Sequence, residues 1–142
     1  MRHVLSDIIK AGIIGLLSLL IGGTLLALQP PPKPTTFQEV EADAVNQAIA
    51  AKTPIIIDAR SASSYKDGHI PSAINLPFEG WETAYPGVEA SIKGKPLLIY
   101  CSGYSCEDSK NLAKVLAAKG YPITLYTRGW EEWEAGGFPF EK

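Results

Sequence analysis

The sequence predicts an α/β fold in which a mostly parallel sheet is flanked by helices on both faces. Short apolar, β-branched runs alternate with helix-like patterns from about residue 37 to the last residue. The runs at 55–57 and 97–100 are apolar at successive positions, which is typical of parallel strands buried on both sides. We therefore expect binding residues at the carboxyl ends of these strands.

The individual elements follow from the same periodicities. Five short apolar segments are predicted to be strands: 37–40, 54–59, 73–76, 97–101 and 122–127. Four segments with apolar residues at helical spacing are predicted to be helices: 43–52, 61–66, 107–118 and 130–135. Residues 77–92 are expected to be helical in pieces, broken by Pro86 and Gly87. Gly68 is expected to stop the second helix, and Gly120 to cap the helix at 107–118.

The amino-terminal part of the sequence is predicted to contain a membrane anchor. Ala11–Leu28 is a stretch of 18 residues without a charge, and at about 1.5 Å per residue such a helix reaches across a bilayer core. Arg2 and Lys10 precede the stretch, whereas Lys33 is followed by no basic residue before Lys52. This asymmetry predicts a cytoplasmic N-terminus and an extracytoplasmic domain, periplasmic or at the cell surface.

A cleaved signal peptide is the competing interpretation of this stretch. Its apolar run is longer than the about 7–15 residues usual in signal peptides, and a cut after Ala27 would place Leu25 where a small residue is expected. A buried core helix is disfavoured because the stretch is apolar on all sides. We therefore predict an uncleaved anchor.

Four prolines, at positions 30, 31, 32 and 34, then form a stiff spacer. The resulting organisation is an N-terminus at 1–10, an anchor at 11–28, a Pro-rich linker at 29–36 and a folded domain at 37–142. The 142 residues carry 13 basic and 15 acidic side chains, a net charge of −2, without a basic stripe. Nucleic acid is therefore not expected as a partner.

Cys101 is the most informative residue of the predicted domain. It ends an apolar strand and precedes a polar turn and a helix, a setting in which backbone N–H groups and the helix dipole favour a thiolate. A buried structural cysteine is the alternative. Cys106, the second of two cysteines, is open to three roles: resolving thiol, disulfide partner or bystander. The pair lacks a nearby histidine, so neither a metal nor another cofactor is expected.

Three blocks of the sequence resemble the rhodanese (sulfurtransferase) homology domain. The first is IIIDARSASSYKDGHIPSAINLP at 55–77, with its Asp-x-Arg and Gly-His-Ile-Pro elements. The second is LLIYC with its loop and helix at 97–120, and the third is RGWEEWEAGGFP at 128–139, where Arg128 replaces a usual glycine. The resemblance covers nearly all of 37–142 and implies a single α/β domain.

The resemblance further implies that Cys101 accepts a sulfane sulfur as a persulfide. The neighbouring residues would line a cradle of N–H donors for the anionic sulfur: Ser102, Gly103, Tyr104, Ser105 and Cys106. With Ser109 matched to the serine that usually opens the helix, this loop has seven residues where the family usually has five, and it lacks the usual arginine. Glu107 and Asp108 stand near that place, where they would repel thiosulfate or merely cap the helix.

Other polar residues have both a functional and a structural interpretation. Asp58 and Arg60 are possible auxiliary residues or a loop-anchoring ion pair, and Arg128 and Lys110 are cations near the expected pocket or solvated surface residues. We expect His69 to form structural hydrogen bonds, and Trp130 and Trp133 to be packing residues. Glu107 stands where the related cell-cycle phosphatases have arginine, which argues against phosphatase activity.

Three functions therefore remain open on the sequence. The leading hypothesis is a sulfurtransferase that carries sulfur on Cys101 from a small sulfur-containing donor to a thiol, a cyanide-like acceptor or a protein. The second is a dithiol/disulfide redox protein that uses Cys101 and Cys106. The third is a non-catalytic binding module built on the same fold.

Overall fold

A computed structural model describes residues 36–142 of the protein. The predicted N-terminus at 1–10, the anchor at 11–28 and the linker up to residue 35 lie outside the described residues. Among the helices of residues 36–142, none combines the length and apolar character needed to cross a membrane.

A five-stranded parallel sheet forms the centre of the domain. Its strands, in chain order, are β1 Gln38–Glu39, β2 Ile55–Asp58, β3 Ile74–Asn75, β4 Leu97–Tyr100 and β5 Ile123–Tyr126. They are arranged β1-β5-β4-β2-β3, and every neighbouring pair is parallel. The central pairs are in register, with Ile57 opposite Ile99 and Ile99 opposite Leu125. The predicted parallel α/β architecture is confirmed.

Five helices cover the two faces of this sheet. They are α1 Ala42–Ala51, α2 Ala62–Asp67, α3 Trp81–Ile92, α4 Asp108–Ala118 and α5 Gly129–Ala135. Residues of α3 and α4 pack with Ile57, Ile99 and Leu125 on one face. Residues of α1, α2 and α5 pack with Ile56 and Leu98 on the other. Side chains alternate between the faces along a strand, so β2 and β4 need apolar residues at successive positions.

Helix α3 departs from the expected pattern, because Trp81–Ile92 is one helix rather than several pieces. Pro86 lies inside it and removes one backbone hydrogen bond. Both Pro86 and Gly87 are exposed, so water can satisfy the carbonyl that the proline leaves without a donor. The opposite side of the helix packs Trp81, Val88 and other apolar residues onto the sheet. Tertiary burial of this face outweighs the two unfavourable residues.

The end of α4 agrees with the prediction. Lys119 follows the last helical residue, and Gly120 has a φ of +93°, a conformation that favours glycine. The N–H of Tyr121 donates to the carbonyl of Leu116 at 3.2 Å and completes the turn into β5.

Leu112, fully buried between α4 and the sheet, provides a test of this packing. We expect Leu112→Ala to lower the free energy of unfolding by about 2–5 kcal/mol, because it removes buried methyl groups and leaves a cavity. The exposed Lys114 on the same helix is the matched control, and Lys114→Ala should stay within about 0.5 kcal/mol of the parent. Urea denaturation measures both, and equal losses would contradict the packing described here.

Candidate functional site

The candidate site is the loop between β4 and α4, which begins at Cys101. This residue directly follows β4, at the carboxyl edge of the sheet, and is 3% exposed. The first turn of α5 fixes the beginning of the loop through two main-chain hydrogen bonds. The N–H of Trp130 donates to the carbonyl of Cys101 at 2.9 Å, and the N–H of Glu131 donates to the carbonyl of Ser102 at 2.8 Å. The loop is therefore held by a helix that is distant in sequence.

Gly129 permits this close approach of α5 to the loop. Its φ is +60°, in the left-handed region that side chains disfavour. A Cβ atom at this position would collide with the carbonyl oxygen of Cys101 and lie 3.1 Å from the carbonyl carbon of Ser102. Both the backbone conformation and the available space thus require glycine.

Cys101 and Cys106 form a disulfide across the loop. Their Cα atoms are 6.2 Å apart, and the N–H of Cys106 donates to the carbonyl of Gly103 at 3.0 Å in a tight turn between them. Cys106 is half-buried, whereas Cys101 is buried beneath the loop. Of the three roles considered for Cys106, the structure has it as the disulfide partner. In this state Cys101 is neither a thiol nor a nucleophile.

The loop also presents backbone donors that the fold does not use. Within residues 36–142, the N–H groups of Ser102, Gly103, Tyr104 and Ser105 have no hydrogen-bond acceptor. Helix α4 starts two residues after Cys106, so its positive dipole end lies close to the same loop. Unpaired amides beside a helix N-terminus attract anions.

One carboxylate lies close to the sulfur atoms, and a second covers the loop. The carboxylate of Asp108 lies within 4.8 Å of both cysteine sulfurs. Glu131 covers Gly103, because a Cβ on that glycine would collide with the Glu131 carboxylate. Glu107 instead accepts a hydrogen bond from Lys110 at 2.9 Å, and this contact lowers the pKa of Glu107. A negative charge near sulfur disfavours thiolates and other anions, which opposes the effect of the backbone donors.

Within residues 36–142, one group of side chains is close enough together to hold a metal. It consists of Cys101, Cys106 and Asp108. Thiolate is the form of cysteine that binds metals. A disulfide offers none, so this group has no thiolate ligand in the present state.

A buried ion pair lies at the end of β2, next to the site. Arg60 donates to Asp58 through Nε and Nη2, the shorter contact being 2.7 Å, and it also reaches the carbonyl of Gly68 at 2.7 Å. The Arg60 guanidinium stacks on the Trp130 ring at 4.7 Å from its centroid. Because Trp130 donates to Cys101, this pair supports α5 where it holds the loop. The structure thus has Asp58 and Arg60 as a buried ion pair that also binds the loop carbonyl of Gly68.

Tyr100 ties the same ion pair to β4 and to the loop before β3. Its hydroxyl donates to Asp58 at 2.5 Å and accepts from the N–H of Ile70 at 3.1 Å. Burial, and then the adjacent Asp58 carboxylate, raise the pKa of Tyr100 far above its usual range. Tyr100 therefore remains a neutral donor throughout the physiological pH range.

Several candidate residues have their contacts with groups other than the loop cysteines. Arg128 is 56% exposed and pairs with Glu41 at 3.1 Å and with Glu132 at 3.3 Å, so its charge is used at the surface. His69 Nδ1 is 3.0 Å from the carbonyl of Tyr65, which confirms its structural role. Trp133 is fully buried and packs as expected.

The most important contacts of the loop were not anticipated from the sequence. Gly129, Glu131 and Tyr100 touch the site or its support. All three lie within the blocks at 97–120 and 128–139, but no contact with the loop was predicted for any of them. A main-chain contact between elements distant in sequence leaves no local pattern of residue types.

Comparison with known proteins identifies the family. The family model described as "Rhodanese-like domain" matches residues 41–136. The chain belongs to the rhodanese-like domain family. This result confirms the resemblance seen in the three sequence blocks.

Individual relatives are distant from this rhodanese-like protein. It is 28% identical over 94 residues to thiosulfate:glutathione sulfurtransferase of Saccharomyces cerevisiae, covering 58% of this chain and 66% of that one. It is 26% identical over 88 residues to an HTH-type transcriptional regulator of Mycobacterium tuberculosis, covering 61% of this chain and 37% of that one. The chain thus spans less than two thirds of the length of either curated relative.

Among solved structures, the BH2092 protein of Bacillus halodurans superposes with a TM-score of 0.65 at 25% identity. The match covers 73% of this chain and 76% of that one. It supports the same parallel α/β fold.

Replacement of Gly129 tests the contact between α5 and the loop. Gly137 is a matched control, because its φ is +68° but nothing lies within 4 Å of an added Cβ. Gly137→Ala should lower the free energy of unfolding by about 1–2 kcal/mol, the cost of the left-handed conformation. Gly129→Ala should lower it further and speed the reduction of the Cys101–Cys106 disulfide, because the collision displaces the Cys101 carbonyl. Urea denaturation and timed thiol trapping measure both effects, and equal behaviour of the two variants would contradict the assigned contact.

Proposed function

We propose that this protein is a sulfurtransferase that carries sulfane sulfur as a persulfide on Cys101. The Cys101 thiolate attacks the outer sulfur of a persulfide donor, R–S–S⁻, forming Cys101–S–S⁻ and releasing R–S⁻. An acceptor thiolate then attacks that outer sulfur, takes it away as a new persulfide and regenerates the Cys101 thiolate.

One observation carries this proposal: a rhodanese-like domain has its cysteine at the carboxyl end of β4, beside unpaired backbone N–H groups. These donors can stabilise the negative charge of both the thiolate and the persulfide. A distant relative named as a thiosulfate:glutathione sulfurtransferase supports the same class of reaction.

The proposed cycle starts from the reduced protein. A thiol reductant must first break the Cys101–Cys106 disulfide, becoming oxidised itself while both cysteines gain a proton. Reduction also frees Cys106, which is the more exposed of the two residues, to move away from the buried Cys101.

The nearby carboxylates bear on the choice of donor. Thiosulfate carries two negative charges, and Asp108 lies within 4.8 Å of the sulfur that would attack it. Glu131 adds a second carboxylate over Gly103. Repulsion from these groups favours donors of lower charge at their reacting end, such as organic persulfides, over thiosulfate.

Mass spectrometry of the loaded protein tests the proposal. We expect the reduced full chain with Cys106→Ser, which cannot close the disulfide, to gain one sulfur atom on Cys101 when treated with glutathione persulfide or, more slowly, with thiosulfate. A further Cys101→Ser change should abolish loading, whereas Lys114→Ala, on the exposed side of α4, should leave loading unchanged. Absence of a sulfur adduct with every donor would reject the sulfurtransferase proposal.

The observed disulfide favours a second candidate, a dithiol/disulfide redox protein. In that case both cysteines are required, and the disulfide exchanges readily with small dithiols. The same loading experiment separates the candidates through Cys106→Ser, which abolishes dithiol chemistry but leaves Cys101 able to transfer sulfur to an added thiol.

We also propose that residues 11–28 tether the domain to a membrane, with the domain on the extracytoplasmic side. The charge-free apolar stretch and the basic residues before it support this proposal.

Cell fractionation tests the tether. We expect the full chain to stay with membranes after alkaline carbonate washing and to retain its first residues in an intact-mass measurement. Release of the chain by the wash, or a mature N-terminus directly after Ala27, would contradict an uncleaved anchor.

A further inference from the structure

We propose that Cys106 is a resolving thiol that converts the Cys101 persulfide into free hydrosulfide and leaves the Cys101–Cys106 disulfide. This inference rests on the proposed loading of Cys101 and adds a second activity, the reduction of sulfane sulfur. The observed disulfide is then the oxidised product state of that reaction rather than a structural crosslink.

The geometry of the loop places the second sulfur where this step needs it. The Cα atoms of the two cysteines are 6.2 Å apart, and the turn from Gly103 to Cys106 brings the side chains together. Cys106 Sγ thus reaches the inner sulfur of a Cys101 persulfide with the loop backbone as it stands. Cys106 is also half-buried beside a nearly inaccessible Cys101, so it is closer to that sulfur than any external thiol.

The step balances in atoms and electrons. The Cys106 thiol loses its proton and attacks Sγ of Cys101, and the Sγ–S bond of the persulfide breaks. The outer sulfur leaves with the electron pair, takes up the proton that Cys106 lost, and departs as hydrosulfide. Overall, the donor R–S–S⁻ and two protein thiols give R–SH, HS⁻ and one disulfide. The sulfane sulfur is reduced by two electrons, and the two cysteines are oxidised by two electrons.

The charges around the loop favour formation of the disulfide and release of hydrosulfide. A persulfide and a thiolate are both anionic, and the Asp108 carboxylate lies within 4.8 Å of both cysteine sulfurs. Formation of a neutral disulfide and departure of hydrosulfide remove that repulsion. The positive charge of Lys110 does not cancel the repulsion from Asp108, because Lys110 is already paired with Glu107 at 2.9 Å.

A repeated cycle needs a supply of electrons. The disulfide must be reduced after each turnover by a dithiol of the class found in thiol–disulfide oxidoreductases, which becomes a disulfide in exchange. One other reaction must therefore supply the organic persulfide that this protein consumes. A separate thiol-reducing reaction must return the Cys101–Cys106 disulfide to two thiols.

A single-turnover experiment tests the resolving role. The full chain is reduced, the reductant is removed under anaerobic conditions, and one equivalent of glutathione persulfide is added. Wild type should release about one hydrosulfide per chain and end two hydrogen atoms lighter than its reduced form. Cys106→Ser and Cys106→Ala should keep one added sulfur atom on Cys101 and release little hydrosulfide.

The outcomes separate this inference from the function on which it rests. If wild type and both Cys106 variants hold the same added sulfur, Cys101 is loaded but Cys106 does not resolve it, and the inference is overturned. A glutathione adduct on Cys101 of the Cys106 variants also overturns it, because the donor was then attacked at its inner sulfur. If no variant gains sulfur and no hydrosulfide appears, loading itself fails. Wild type that keeps the added sulfur and releases no hydrosulfide overturns the inference even if a variant does not fold.

The equilibrium of the same step tests the electrostatic part of the proposal. Added hydrosulfide reverses the reaction, so the disulfide form is incubated with it and the fraction of persulfide is measured by mass. Asp108→Asn should raise this fraction by about threefold to tenfold, because it removes the nearby negative charge. The matched control is Asp43→Asn, an exposed acidic residue in the first turn of α1, which should leave the fraction unchanged. Equal fractions in the two variants would overturn the role of Asp108.

Discussion

The contact between the first turn of α5 and the loop after β4 is the constraint on which the site depends. Two main-chain hydrogen bonds, from Trp130 and Glu131, hold the carbonyls of Cys101 and Ser102. Within residues 36–142, the following amides of the loop have no acceptor in the domain. Gly129 makes the approach possible, since any side chain there would occupy the place of the Cys101 carbonyl.

The polar cluster below this contact explains why two charged residues are buried. Asp58 has its acceptors used by Arg60 and Tyr100, and Arg60 in turn stacks on Trp130. A buried ion pair is weak evidence for stability, but loss of either partner leaves an uncompensated buried charge. Here that arrangement connects β2, β4 and α5 at the edge of the sheet where Cys101 lies.

Opposing electrostatic influences meet at the sulfur atoms. Backbone donors and the start of α4 favour an anion, whereas Asp108 and Glu131 disfavour one. A site built only to hold a persulfide would not benefit from a carboxylate within 4.8 Å of the sulfur atoms. A site in which the persulfide is short-lived and a neutral disulfide follows is consistent with both influences, and this balance underlies the proposed role of Cys106.

Much of the fold followed from the sequence, because burial on both faces leaves a local record. Successive apolar residues in 55–57 and 97–100 indicated central parallel strands, and the position of Cys101 after the second run placed it at the binding edge of the sheet. The prediction that α3 is broken into pieces was wrong. Pro86 and Gly87 are local helix-breaking signals, but favourable packing of the opposite face of the helix outweighs them. The role of His69 and Trp133 as structural residues was also correctly anticipated.

The residue types alone determined the sheet, its helices, the family and the candidate nucleophile, because each depends on a periodicity or on residues adjacent in sequence. Tertiary structure decided that Cys101 and Cys106 are joined, that Asp108 rather than Glu107 faces the sulfur atoms, and that Arg128 pairs at the surface. These outcomes depend on where a loop is held by a helix more than twenty residues away in the chain. Such a contact is made by main-chain atoms that every residue possesses, so no pattern of side chains predicts it.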